Sequence, residues 1–379
     1  MNIGIDAYPL VKKPKSGIGY FTENLLCSLL QMDKVNQYIL YNTLGARINL
    51  SFPNLRTAQP SGSNFTNKFS TLWTLFAARK QLIKDKVDIF WGTQGAMLPS
   101  LPGNIKTVFT VYDLTFYLYP ETMSVDHYLV QKIFFKKAVL NSDKIISISQ
   151  STADDLQKFF PNKKIMDKIH IIYGSTGDNL KTVDRCSAEK YISNFFNIEK
   201  KFILFIGTIE PRKNIEGLLK AFKVLRVKYN ISHELILAGA KGWKTKNIYK
   251  VYNSLGFSKS EVKFLGYVSE ENLLNLYCAA DLLVMPSFYE GFGLPPLEAM
   301  SCGVPVVASN ISIFKEVLSD AALLADPEDS SDIAEKIYSI ITNEVLRSSL
   351  INKGYERAKM FSWRRSAGQL KYIFDKTSS

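Results

Sequence analysis

The chain has 379 residues, 46% of them apolar and 22% charged, with a net charge of +12. Such a length suits two domains with separate hydrophobic cores, and no apolar run approaches the roughly 18–20 residues needed to span a bilayer. Four scattered cysteines (Cys27, Cys186, Cys278, Cys302) and three distant histidines (His127, His170, His233) give neither paired-cysteine spacing nor a metal-ligand motif, which argues against a disulfide framework and a zinc site.

Short apolar strands alternate with longer helical patterns, the signature of a parallel sheet covered by helices on both faces. In the first half, strands are expected at 2–6, 37–41, 89–91, 107–111, 144–148 and 169–172. The chain opens directly on the strand-like Ile3-Gly4-Ile5-Asp6, without the basic and apolar regions of a secretory leader, so a cytoplasmic protein is expected. A loop with Ser16-Gly17-Ile18-Gly19 follows, then a helix over 21–31. Residues 72–86 place Leu72, Trp73, Leu75, Phe76, Leu82 and Ile83 at helical spacing beside Arg79, Lys80, Lys84 and Lys86. Residues 128–140 repeat that pattern with Lys132, Lys136 and Lys137. Each reads either as a core-packed helix with a solvated basic face or as a surface for anionic membrane. The positive charge favours polyanionic partners such as an anionic membrane or a phosphorylated substrate; without a nucleic-acid motif, no nucleic-acid partner is expected.

Val111-Tyr112-Asp113-Leu114-Thr115-Phe116 ends a strand. Asp113 reads equally as a strand-end turn residue or as a polar contact to a ligand. In Ile145-Ile146-Ser147-Ile148-Ser149-Gln150-Ser151-Thr152, Ser149 and Ser151 are candidate helix caps. Residues 174–201 carry Gly, Ser, Asn and Asp without a clear strand, which suits a connection between domains of about 1–175 and 176–360.

The second half opens like the first. Strands are expected at 202–206, 234–238, 262–265, 282–285, 306–308 and 322–325, with helices at 215–227 and 271–279. Two Rossmann-like domains result, with ligands at the carboxyl ends of the strands. After the first of these strands comes Glu210-Pro211-Arg212-Lys213-Asn214. Arg212 and Lys213 there read as a solvated basic turn or as two cations beside a diphosphate. Gly239-Ala240-Lys241-Gly242-Trp243 lets backbone approach a nucleotide, or is a plain loop. The most informative stretch is Phe288-Tyr289-Glu290-Gly291-Phe292-Gly293-Leu294-Pro295-Pro296-Leu297-Glu298. Its glycines permit positive φ, and its prolines suit a first helical turn. Glu298 is expected in that turn, at a helix N-terminus that receives phosphate with one carboxylate on each side. The plain alternative is a proline-initiated helix with both glutamates solvated. Residues 362–374 read as an amphipathic C-terminal helix.

Glu290 and Glu298, with Gly-Phe-Gly-Leu-Pro-Pro between them and Glu298-Ala299-Met300 and Cys302-Gly303-Val304-Pro305 after, resemble the Glu-x7-Glu signature of family GT4 retaining glycosyltransferases of the GT-B fold. The resemblance covers nearly the whole chain, most strongly 202–307. It implies two Rossmann-like domains facing across a cleft, with a C-terminal helix at about 361–379 crossing back onto the N-terminal domain. It also implies that Glu290 faces the donor sugar, that Glu298 binds the ribose hydroxyls, and that Arg212 and Lys213 hold the leaving diphosphate. Gly17 and Gly19, Gly239, Tyr267 and the run Gly291, Phe292, Gly293, Leu294 become donor-binding candidates, and Asp113 joins the catalytic ones. Where relatives read His-Asp-Leu, this chain has Tyr112, whose phenol titrates near 10 and cannot replace imidazole as a base near neutrality. The Glu-Pro-Arg-Lys-Asn form resembles a mannosyltransferase-like branch, which implies GDP-mannose as donor, a polysaccharide or lipid-linked oligosaccharide acceptor, and no metal or other cofactor. A UDP-sugar donor, a non-catalytic nucleotide-sugar-binding subunit and a phosphorylase of the same fold are the rival readings. The last would need a pyridoxal phosphate lysine and a much longer chain.

Overall fold

The structure is a computed structural model that describes residues 1–12, 15–42, 48–58, 73–96, 98–176 and 183–378. The chain forms two compact units. The first comprises Met1–Phe116, Val125–Gly174 and Ser362–Ser379. Its strands are β1 (Asn2–Asp6), β2 (Gln37–Tyr41), β3 (Leu55–Ala58), β4 (Ile89–Gly92), β5 (Lys106–Val111), β6 (Lys144–Ser147) and β7 (Ile169–Ile171). They form one parallel sheet in the order β3-β2-β1-β4-β5-β6-β7. Helices cover both faces, so successive residues of the inner strands are buried alike, Ile3 and Ile5 with no exposure and Gly4 beside them. The strand order reverses between β1 and β4.

Strand β3 was not expected from sequence. Leu-Arg-Thr-Ala has one apolar end and an exposed middle, because an edge strand needs only one buried neighbour. Its register against β2, from Tyr38 opposite Leu55 to Tyr41 opposite Ala58, is what reveals it.

The stretch at 72–86 divides into a π-helical turn (Trp73–Ala77) and a helix (Ala78–Lys84). Trp73, Ala78 and Leu82 pack with Tyr41, Val87 and Phe90 in the core, while Arg79, Lys80 and Lys84 face solvent. This is the core-packed reading; Leu72 and the side chains of Leu75 and Phe76 lie outside the described residues. The C-terminal helix Trp363–Ser378 belongs to this unit. Its Trp363 ring meets Phe21 edge-on at 5.4 Å, Phe374 meets Trp91 at 6.0 Å, and Ser366 Oγ donates to the Tyr173 carbonyl at 2.7 Å.

The second unit comprises Tyr117–Ser124 and Ser175–Phe361. Its strands are β8 (Phe202–Ile206), β9 (Glu234–Ala238), β10 (Val262–Gly266), β11 (Leu282–Met285), β12 (Val306–Ser309) and β13 (Leu323–Ala325), all parallel in the order β10-β9-β8-β11-β12-β13. Here the order reverses between β8 and β11. The short segment Tyr117–Ser124 joins this unit through Trp243 Nε1 donating to the Thr122 carbonyl at 2.5 Å and the Tyr119 ring 5.7 Å from Tyr289. Within 174–201 lies a helix, Arg185–Phe196, capped by Asp184 and ended by left-handed Asn197; residues 177–182 of that stretch lie outside the described residues. Among the described residues no helix is long and apolar enough to cross a membrane.

Trp363 is buried against Phe21 far along the chain, so the last helix holds the first unit together from its far end. Trp363→Ala is expected to destabilise the protein by about 3–5 kcal/mol. Urea denaturation measures it, and a loss under 1 kcal/mol, roughly the scale of a surface change, would show that the helix is only draped on the unit.

Candidate active site

The second unit gathers its charged residues where its sheet reverses. From β8 the chain passes through Gly207 and Glu210 into a 3₁₀ turn, Pro211–Lys213. Asn214 then takes a left-handed conformation (φ 54°, ψ 42°), which asparagine tolerates better than most residues. Its Oδ1 accepts from Gly217 N at 3.1 Å, capping the helix Ile215–Val227. Its amide group donates to the carbonyls of Pro286 at 3.1 Å and Pro327 at 2.6 Å. One side chain thus ties the loops after β8, β11 and β13, and it sets where Arg212 and Lys213 project.

Both cations meet Glu290. Arg212 donates to Glu290 Oε2 at 3.0 Å, to the Tyr289 carbonyl at 2.7 Å and to Glu210 Oε1 at 2.6 Å. Lys213 Nζ lies 2.5 Å from Glu290 Oε1, which also accepts from Ser287 Oγ at 2.8 Å. Glu290 is only 7% exposed. Burial pushes its carboxyl upward, but the charges of Lys213 and Arg212 outweigh burial and hold it down at about 2. Glu210 and Glu290 against Arg212 and Lys213 make a neutral four-charge cluster, largely out of water.

After Glu290 comes the glycine run. Phe292 packs edge-on against Phe361 at 5.8 Å. Gly293 has φ +86° and a Cβ there would sit 2.6 Å from the Phe314 ring, so only glycine fits. The helix begins at Leu294 and runs to Ser301. Glu298 is therefore its fifth residue, beyond the first turn in which it was expected, because left-handed Gly293 starts the helix one residue before the proline pair. Pro295 and Pro296 carry no N–H, so among the first three helical residues only Leu294 offers one to an anion. Glu298 Oε2 accepts from the Tyr277 hydroxyl at 2.6 Å, and Tyr277 is fully buried on the helix Glu270–Ala279. Burial lifts the Glu298 carboxyl above its ordinary value against the lowering effect of that hydrogen bond, and Glu270 lifts it further. The two glutamates of the motif are thus pushed in opposite directions.

Gly239, at the end of β9, packs so tightly that a Cβ would lie 1.9 Å from the Gly207 carbonyl oxygen, and its N–H donates to the Gly266 carbonyl at 2.8 Å. The strand ends of β8, β9 and β10 thereby close on one another. Tyr267 follows directly and is half exposed. Lys241 stands over the Tyr249 ring at 5.4 Å.

In the first unit, Gly17 and Gly19 are not in a loop. Ser16 caps a helix running Gly17–Met32, accepting from Gly19 N, so both glycines lie in its first turn. Gly19 needs its small size, since a Cβ would sit 2.7 Å from the Pro9 carbonyl; Gly17 has open space around it. Tyr112 is buried, its ring edge-on to Phe21 at 5.6 Å and its hydroxyl 3.0 Å from Thr22 Oγ1. The Thr22 hydroxyl already donates to the Ile18 carbonyl at 2.8 Å, which makes the phenol the donor. Burial pushes the Tyr112 phenol far above its ordinary range. Asp113 Oδ1 accepts from Thr115 N at 2.9 Å, where a short helix, Thr115–Leu118, begins. Ser149 caps the helix Gln150–Phe159, accepting from Thr152 N at 3.0 Å, and Ser151 is inside that helix.

The structure therefore brings Arg212, Lys213 and Glu290 into direct contact and gives Glu298 a separate partner. Sequence reasoning passed over Glu210, Asn214, Ser287 and Tyr277. The first two flank the basic pair and could have been read as its counter-ion and its helix cap. Nothing in the sequence marks Ser287 or Tyr277.

Removing one partner of a buried ion pair strands the other. Lys213→Met is expected to cost about 3–5 kcal/mol at pH 7, and Glu290→Gln is expected to cost less in that background than in the parent protein. Additive losses in urea denaturation would show that the pair is not coupled. Because the Glu290 carboxyl is held below its ordinary value, its contribution is present above the normal carboxylate range and lost as pH falls toward about 2.

Comparison with known proteins places the chain in a family. A family model described as Glycosyl transferases group 1 matches residues 188–357, and one described as Glycosyltransferase Family 4 matches residues 22–175. The chain is 30% identical over 375 residues to O-antigen chain mannosyltransferase B of Escherichia coli, covering 95% of this chain and 96% of that one. It is 30% identical over 237 residues to O-antigen chain mannosyltransferase RfbU of Salmonella typhimurium, covering 61% and 60%. Among solved structures, sucrose-phosphate synthase from Thermosynechococcus elongatus superposes with a TM-score of 0.76 at 19% identity, covering 99% and 98% of the two chains. Anabaena Alr3699/HepE in complex with UDP and glucose gives 0.74 at 18%, covering 99% and 100%. At these identities the structural likeness concerns the fold. Two doubly wound sheets and a similarity to a mannosyltransferase along nearly the full length have one meaning: the chain belongs to glycosyltransferase family 4 and is a glycosyltransferase of the GT-B fold.

Proposed function

We propose that the protein transfers mannose from GDP-mannose, with retention of anomeric configuration, to a hydroxyl of a growing polysaccharide or a lipid-linked oligosaccharide. The observation that carries this reading is the buried contact of Glu290 with Arg212 and Lys213 at the carboxyl ends of β8 and β11. A donor diphosphate competes with Glu290 for the two cations. It would take the charge-assisted hydrogen bonds that the carboxylate now holds, and Glu290 would then turn to the hydroxyls of the sugar. As the glycosidic bond breaks, Arg212 and Lys213 stabilise charge developing on the leaving phosphate. That phosphate accepts the proton of the attacking hydroxyl on the same face, so no protein base is required, and a buried Tyr112 in place of histidine is compatible with turnover. The two cations do the charge work that a divalent metal would otherwise supply. Glu298, with Tyr277 on one oxygen, keeps lone pairs for the ribose diol. The names of the O-antigen relatives support mannose.

A UDP-sugar is the second reading, favoured by the Anabaena structures in complex with UDP and with UDP-glucose. Calorimetric titration separates the two. GDP is expected to bind more tightly than UDP, and Glu298→Ala to weaken nucleotide binding by about 1–3 kcal/mol. A UDP preference would overturn the mannose assignment, and no binding of either nucleotide would overturn the donor site.

A lipid-linked acceptor calls for contact with a membrane surface. The helix Val125–Asn141 exposes Val125, Leu129 and Ile133 at successive turns (68%, 47% and 63%), with Lys132, Lys136 and Lys137 exposed beside them, while Phe135, Ala138 and Val139 face the core. Apolar residues ringed by lysines suit the interface of an anionic bilayer. The protein is expected to sediment with phosphatidylglycerol vesicles and not with neutral ones, and Ile133→Asp with Lys136→Glu to weaken this by about tenfold. Unchanged sedimentation of the double variant would remove this helix from the reading.

A further inference from the structure

Asp6 ends β1 in the first unit, 6% exposed. Strand β1 is flanked by β2 on one side and β4 on the other, and the strand order reverses at that boundary. In an open parallel sheet the crevice outside the carboxyl ends at the reversal is where ligands bind. The polar groups around Asp6 come from three strand ends. Gln94, just after β4, donates from Nε2 to Asp6 Oδ2 at 2.6 Å, and Thr93 Oγ1 donates to the Asp6 carbonyl at 2.5 Å. Tyr8 N donates to Asp6 Oδ1 at 3.1 Å. Tyr112, after β5, stands close by, with Gly95 (φ +69°) so near its ring that a Cβ would lie 2.9 Å away.

We propose that Asp6 is a ligand-binding carboxylate of the first unit, which receives a hydrogen bond from a hydroxyl of the glycan acceptor. This rests on the reading of the acceptor as a glycan. The geometry fits a neutral hydroxyl donor. Among the described residues no lysine, arginine or histidine pairs with Asp6. Its side-chain partners are an amide and a backbone N–H. A carboxylate has about four acceptor positions, and these two bonds fill two. Burial pushes the carboxyl up to about 6, against the lowering effect of Tyr8 and Gln94. The sign matters: a carboxyl raised on folding favours the fold at low pH, and that support is lost as pH rises through about 6. Near neutrality Asp6 is thus ionised at the fold's expense, and among the described residues no cation compensates it.

The plain alternative is that Asp6 only starts the short helix Tyr8–Val11 through Tyr8 N. Asparagine does that equally well, and Gln94 can rotate its amide to meet it, so Asp6→Asn separates the two roles. Binding of α-mannotriose to the full-length protein, followed by saturation-transfer NMR, is the direct measurement, with thermal melting at pH 7.5 and GDP titration alongside. Asp6→Asn is expected to bind the trisaccharide about tenfold more weakly, to melt several degrees higher, and to bind GDP as the parent does. Gln94→Met, which frees Oδ2 but keeps the charge, is expected to lose less affinity. Equal trisaccharide affinity in Asp6→Asn, a lower melting temperature, or no trisaccharide binding by the parent protein would each overturn the proposal. Failure to bind GDP with trisaccharide binding intact would sink the donor reading and leave Asp6 in place.

Discussion

Glu290 is a carboxylate almost out of water, and an isolated charge in that position is too costly to keep. The second unit is built to keep it. Lys213 and Arg212 supply opposite charge, Ser287 fills a further acceptor position, and Glu210 balances the second cation. Asn214 fixes the turn that carries Arg212 and Lys213: its left-handed backbone turns the chain and its amide ties it to two neighbouring loops. The cluster is neutral as a whole: two cations face two carboxylates, largely out of water. On the proposed reading such a site is preorganised, because its cations are desolvated and oriented before a ligand arrives.

Backbone packing complements this electrostatic arrangement. Gly239 lets β9 end against the Gly207 carbonyl, and Gly293 lets the helix start turn beneath the Phe314 ring. At both positions the requirement is space, and at Gly293 a positive φ adds to it. These glycines stand at the end of β9 and at the start of the helix Leu294–Ser301. The prolines Pro295 and Pro296 withdraw two of the N–H groups that a helix start usually presents, which leaves Leu294 alone among the first three helical residues with one to offer.

The polar ends of the two sheets differ in kind. In the second unit charged residues dominate: Glu210, Arg212, Lys213 and Glu290. In the first, Asp6 stands among amide, hydroxyl and phenol groups of Gln94, Thr93, Thr22 and Tyr112. Cations suit a diphosphate, and neutral donors around one carboxylate suit a polyhydroxylated sugar. The difference matches the proposed division of donor and acceptor between the two units.

Much of the fold was legible because strands buried on both faces must be apolar throughout, as in Phe202–Ile206 and Leu282–Met285. The edge strand Leu55–Ala58 escaped, since one-sided pairing leaves little trace in four residues. Gly17 and Gly19 were misplaced in a loop because glycine suggests a turn, while Ser16 beside them caps a helix. Glu298 falls one residue later in its helix than expected, because left-handed Gly293 starts the helix at Leu294 rather than at the proline pair. In the site, the resemblance to the family singled out Arg212, Lys213, Glu290 and Glu298, and the structure sets the first three in mutual contact and Glu298 against Tyr277. Sequence by itself thus determined the alternating α/β architecture, the family and the charged residues of the motif, all of which depend on local pattern. The tertiary structure alone decided which charges neutralise one another, that Tyr277 holds Glu298, that Asn214 joins three loops and that Asp6 lies buried with no cation on it among the described residues. Burial and hydrogen bonding between residues scores of positions apart set these, and no local spacing encodes them.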